Sequence, residues 1–351
     1  MDEEKKVCLD NSILDVMRKQ DFKAHLLPLN EAEERQAFFN NITYEPEFRF
    51  IEPNFDIEKI DDELKLIKTA GSAVKRFYDE KIKERLLINK LIKNRGNLEE
   101  LKKTNKKLYG RPSKELYRQA LGIIRQNINS VASEQEKNLP SCELKRQFEE
   151  VLRENNISDW VIKFTKNQTI NVSFENKAVR IPEKRFFSQE EIDKLKIHEI
   201  KSHVFRSANG YLQPYKIFAV GLANNESTKE GLALYNQSTH GLMPASSWVK
   251  ISTSVVCVYL VYANYSFRQI FNQLIELGLS QEFAWQRLAR VFRGGFIGKD
   301  FLYLEGFNKV KEFAEENGLQ DLYVGKIAIE HLAECRTLVN QGILKKPIHI
   351  L

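Results

Sequence analysis

His198 and His203 stand five residues apart in KIHEIKSHVFR, with Glu199 directly after the first histidine. In a regular α-helix each residue advances by about 100°, so side chains five apart diverge by roughly 140° and face different ways. Helix-favouring sequence lies on both sides. Ser188, followed three residues later by Glu191, reads as a capping box that starts a helix carrying His198. Two backbone solutions bring the imidazoles together. A π-bulge adds one residue to a turn, so that position i+5 takes the place of i+4. Otherwise the helix ends before His203 and the chain bends back. The bulge is the expectation.

Converging imidazoles are a metal-binding feature. Zinc favours imidazole and carboxylate ligands, and a catalytic zinc keeps one position for water. A glutamate after the first histidine is placed to act on that water. A third ligand is sought in NNESTKEGLALYNQ, residues 224–237. Thr228 is expected as a helix N-cap, which puts Glu230 in the first turn, and Gly231 permits close backbone approach. Glu226 competes with Glu230, and spacing alone does not choose between them.

The rest of the chain sets the frame. Residues 1–158 are mostly helical by apolar spacing, for example 56–70 and 72–94. From about 159 the texture changes. WVIKFT and TINVSFENKAVRIP alternate apolar and polar residues around ENK, which predicts two or three short strands with a hairpin between 169 and 182. Beyond 228 the chain is helical to about 342, broken by FRGGFIGKD. The most apolar stretch, 251–267, carries Ser, Thr and Asn and is expected as a buried core helix, not a membrane span. Cys8, Cys142, Cys257 and Cys335 form no CxxC pair, which argues against a disulfide framework or a cysteine zinc knuckle. The charged start MDEEKK predicts no signal peptide, and a cytoplasmic location is expected. A net charge of +6 permits an acidic partner without demanding nucleic acid.

HEIKSHVFR followed by TKEGLALYN resembles the metallopeptidase family that includes the microtubule-associated tyrosine carboxypeptidases, with its HExxxH, an Arg three residues on, and T-x-EGLA. LLPLNEAEERQAFF, EFRFIEP and NRGNLEELKKTNKKLYGRP upstream look similar to the same family, as do RVFRGGFIGKDFLYLEGF and LYVGKIAIEHL downstream. The chain departs from the pattern at Lys201 and Ser202, where the family commonly has Gly-Thr, and at Lys229, where it is often acidic.

The resemblance implies an α+β, predominantly helical, zincin-like metallopeptidase with a small antiparallel sheet. It implies a helical N-terminal region over 1–110 and a zinc metallopeptidase domain over 111–351. Zn2+ would be held by His198, His203 and Glu230, with Glu199 as general base. Tyr303 and Tyr323 lie in resembling segments and are the candidate oxyanion donors. Arg206, one helical turn beyond His203, Arg293 and Lys299 are the candidates for a substrate carboxylate. TINVSF is a candidate edge for an extended substrate. The implied reaction removes a C-terminal residue, aromatic by resemblance, from a peptide or a protein tail such as that of tubulin. No nucleic-acid or membrane partner is expected. The alternatives are a zinc hydrolase acting on a small amide or ester, and a non-catalytic helical binding module.

Overall fold

The structure is a computed structural model and describes residues 3–19, 25–128 and 136–351. Among the described residues helices dominate, with two small sheets, in accord with the α+β, mostly helical expectation. Asn171–Ser173 and Ala178–Pro182 form the expected antiparallel hairpin, in the register Val172↔Val179. Lys177 adopts the left-handed conformation (φ 47°) in its turn.

The sheet departs from the antiparallel expectation, because Val161–Thr165 pairs parallel with Ala178–Pro182. Connectivity is the reason. Asn171–Ser173 lies on the far side of Ala178–Pro182, so the chain leaves Val161–Thr165, crosses to the opposite edge and returns through the hairpin into the middle. Alternation marks strands but says nothing of their order. A second pair, Leu139–Pro140 with Phe186–Phe187, is too short for periodicity to reveal.

Among the described residues, two large apolar cores hold the molecule, beside a small cluster of Val16, Ile60 and Leu64. One joins Phe148, Val179, Ile181, Ile200, Val204 and Phe218, and so ties the sheet to the Ser141–Glu154 helix and to the segment carrying the histidines. The other joins Phe38, Leu91, Leu101 and Ile124 to Val256, Ile270 and Trp285. Residues on both sides of 110 therefore share this core. Phe38 is the hinge pin of this merger. Its ring centroid lies 5.3 Å from Phe267, 4.9 Å from Phe271 and 5.1 Å from Trp285. Burying one such ring contributes about 1.5–3 kcal/mol.

Ala245–Tyr262 is long and apolar enough to cross a membrane by length and composition. Here it packs against Lys114–Asn127 and Gln281–Val291, with Val255, Val256, Val258 and Val261 buried. Thr253 Oγ1 donates to Val249 O at 2.8 Å, so its hydroxyl is satisfied within the helix. This is the core helix that its polar residues predict.

Phe38→Ala is expected to cost about 3–5 kcal/mol. Hydrogen exchange should then show reduced protection in Phe267–Glu276 as well as in Glu31–Asn40. Loss confined to 31–40 would mean that the N-terminal region folds on its own.

Candidate metal centre

Ser188 Oγ accepts the Glu191 N–H at 3.1 Å and starts the Gln189–Leu195 helix where the sequence predicts. Glu191 turns its carboxylate to Arg185 instead of back to the cap. Lys196–Val204 is then a π-helical turn, as the five-residue spacing predicts. The Phe205 N–H donates to Ile200 O, five residues back. Ser202 Oγ donates to Ile197 O at 2.8 Å over the same interval. Phe205–Leu212 resumes the α-helix. The extra residue brings the His198 and His203 rings to 4.7 Å between centroids, at 80°.

The opposing carboxylate comes from Asn225–Thr239. That helix begins before Thr228, with Asn224 in the left-handed conformation (φ 59°) at its start. Thr228 is therefore not the N-cap. Its hydroxyl accepts the Ile329 N–H at 3.0 Å, a contact between remote segments that local sequence does not announce. Glu226 lies in the first turn and Glu230 one turn further along. A Cβ on Gly231 would lie 2.2 Å from the Gly306 carbonyl carbon, and one on Gly306 would lie 2.0 Å from Ser227 O. Asn225–Thr239 and Leu302–Glu316 thus touch backbone to backbone, which only glycine allows. Tyr303, in the first turn of Leu302–Glu316, lies within electrostatic reach of Glu230.

Glu230 Oε2 lies 3.4 Å from His198 Nε2 and 3.8 Å from His203 Nε2. One donor atom from each of the three residues falls within 4.8 Å of the others. Ligands about 2.0–2.2 Å from one tetrahedral zinc stand roughly 3.3–3.6 Å apart, so the set fits a single ion after a small contraction. Glu226 stays outside it, since its oxygens meet Lys229 at 2.7 Å and Lys299 at 3.1 Å. Burial and the His198 charge push His203 down to about 3. Burial also disfavours a charged His198, but the Glu230 and Glu199 carboxylates outweigh it and raise its pKa. Burial works against an ionised Glu230 as well, yet Lys229 and the two histidines hold it well below the usual carboxylate range. A neutral imidazole beside an ionised carboxylate is the state a divalent ion requires.

The remaining candidates divide. Glu199 is partly exposed on the histidine helix and close enough to His198 to favour its charged form. Burial and Glu230 raise the Tyr303 hydroxyl well above its ordinary pKa, so it stays protonated and able to donate. Tyr323 is fully buried behind the site, where its hydroxyl accepts from Asn236 Nδ2 at 2.9 Å. Asn236 Nδ2 also donates to Ser202 Oγ at 2.9 Å, which locks the π-turn to the glutamate helix. Arg206 is fully buried too. It donates to Leu322 O at 2.9 Å, to Gly325 O at 3.2 Å and to Ile327 O, so it braces that loop and presents no surface to a substrate. Arg293 has Arg290, Glu31 and Asp300 as its charged neighbours.

The sequence reading missed Asn236, Lys229 and Arg290 as parts of this assembly. Arg290 pairs with Asp300 at 2.7 Å, and its charge reaches Tyr303 and Glu230. Its place in RVFRGGF, 13 residues before Tyr303, was the available signal.

The family model for microtubule-associated tyrosine carboxypeptidase matches residues 36–351. The chain belongs to this family. Microtubule-associated tyrosine carboxypeptidase 1 of Rattus norvegicus is similar, at 26% identity over 163 residues, which is 42% of this chain and 33% of the relative. The chain thus matches about a third of the length of that curated relative. His198, Glu199, His203, Glu230 and Tyr303 all fall inside the span matched by the microtubule-associated tyrosine carboxypeptidase family.

Gly231→Ala should force the two helices apart, at a cost of about 1–3 kcal/mol or more. Metal uptake, measured by elemental analysis, is expected to fall with it, and Gly306→Ala should do the same. Full uptake in both variants would show that the backbone contact does not position Glu230.

Proposed function

We propose that this chain is a zinc-dependent, zincin-like carboxypeptidase that removes a C-terminal residue, aromatic by preference, from a peptide or protein tail. The observation that carries the reading is the convergence of His198, His203 and Glu230 around one point, with Glu199 in the next position of the chain. Those three residues would hold the ion. When bound, zinc supplies Lewis-acid polarisation of the scissile carbonyl and an acidified water.

The chain's own residues do the rest. Glu199 takes the proton of the attacking water and delivers it to the leaving nitrogen. Tyr303, kept protonated by burial and by Glu230, donates a hydrogen bond to the developing oxyanion. Lys299 and Arg290 are cations whose charge reaches Glu230, and in this reading they would receive the terminal carboxylate in exchange for their present partners Glu226 and Asp300. Asn171–Ser173 is an edge strand that packs beside the histidine helix, so an extended substrate can pair with it. A protein tail such as that of tubulin belongs to the substrate class proposed. Cys142, Cys257 and Cys335 are free thiols, which supports a reducing, cytoplasmic setting.

Peptides ending in Tyr, Phe, Leu and Glu, read by mass spectrometry, test the reaction. Loss of one terminal residue, fastest for Tyr, is the expected result. Glu199→Gln should keep its zinc and lose activity by about 10²–10⁴-fold. His198→Ala should lose the zinc. Hydrolysis of small esters with no trimming of any peptide would point to a different zinc hydrolase. Purified protein without stoichiometric metal would leave only a binding module.

A further inference from the structure

Lys229 lies between two carboxylates beside the converging histidines. Its Nζ is 3.1 Å from Glu230 Oε1 and 2.7 Å from Glu226 Oε1. The other Glu226 oxygen is 3.1 Å from Lys299 Nζ. The two oxygens of Glu230 are therefore assigned to different tasks. Oε2 faces His198 and His203, whereas Oε1 faces the ammonium. The Lys229 side chain is only 14% exposed and that of Glu230 10%, so water competes weakly for this contact. Ion pairs shielded in this way are far less screened than surface ones.

We propose that Lys229 makes Glu230 a one-oxygen metal ligand, by occupying the carboxylate oxygen that would otherwise also turn to the ion. The inference rests on the metal-centre reading above and adds a positioning residue to it. A carboxylate is able to bind a cation through one oxygen or two. Two-oxygen binding by Glu230 would fill the place that a catalytic zinc leaves for water. Partners behind a ligand commonly set its orientation in this manner. Lys229 has a second effect. Glu226 and Glu230 are four residues apart and share a helix face, where like charges repel. The ammonium between them offsets that repulsion and gives Glu226 a partner away from the histidines.

Cobalt(II) substituted for zinc reports the coordination number directly, because its visible bands weaken as ligands are added. The full chain, Lys229→Met and Lys229→Arg are loaded with one cobalt each and their spectra compared. Lys229→Met is expected to lose about half or more of the band intensity as Glu230 turns both oxygens inward. Lys229→Arg, which keeps a cationic donor, should restore the spectrum. With zinc, Lys229→Met should lower kcat with little change in KM. Melting followed by circular dichroism checks folding, and Lys229→Leu replaces Lys229→Met if the latter melts early. An unchanged spectrum in the apolar variant overturns the role of Lys229 while leaving the metal centre intact. Failure of the unaltered chain to take up either metal overturns the metal centre, and this role with it.

Discussion

One extra residue in one helical turn is the constraint on which this site depends. Without the π-turn at Lys196–Val204, His198 and His203 would project to different faces, and no single ion could meet both. The turn holds together because its displaced hydrogen bonds find partners at the new interval. The Phe205 N–H and the Ser202 hydroxyl each reach a carbonyl five residues back. Asn236 then ties Ser202 to the neighbouring helix, so the local irregularity is set from outside as well.

The second requirement is the approach of Glu230, and a steric vacancy provides it. Gly231 and Gly306 lack the Cβ atoms that would separate their helices. The carboxylate and Tyr303 are in turn carried on rigid elements rather than on a loop, which favours a fixed geometry. Around this pair, buried groups serve as scaffold. Arg206 braces the 322–327 loop through backbone carbonyls, and Tyr323 completes the Asn236 network. Both side chains are fully buried and engaged by groups of the protein itself.

Charge around the centre is organised in alternation. Glu230, Lys229, Glu226 and Lys299 follow one another as acid, base, acid, base. Such a chain allows two carboxylates to remain ionised in a largely buried place, where either alone would be costly. It also explains why Glu226, equal to Glu230 on spacing, stays outside the converging set.

Much of this was legible in the sequence. The five-residue histidine spacing has few backbone solutions, and with helix-favouring sequence on both sides it pointed to the π-turn. Alternation around ENK determined the hairpin, and polar residues within an apolar stretch marked a core helix. Tertiary structure alone decided the rest. Strand order, the earlier start of the glutamate helix, the packing of Phe38, Leu91 and Leu101 beside Val256 and Trp285, and the lysine contacts that hold Glu226 outside the converging set depend on how the elements pack together. Local patterns report which face of an element is apolar and where a turn begins. They carry no record of which distant carbonyl, ring or ammonium will occupy the space beside it, and at this site that neighbour settles what each side chain does.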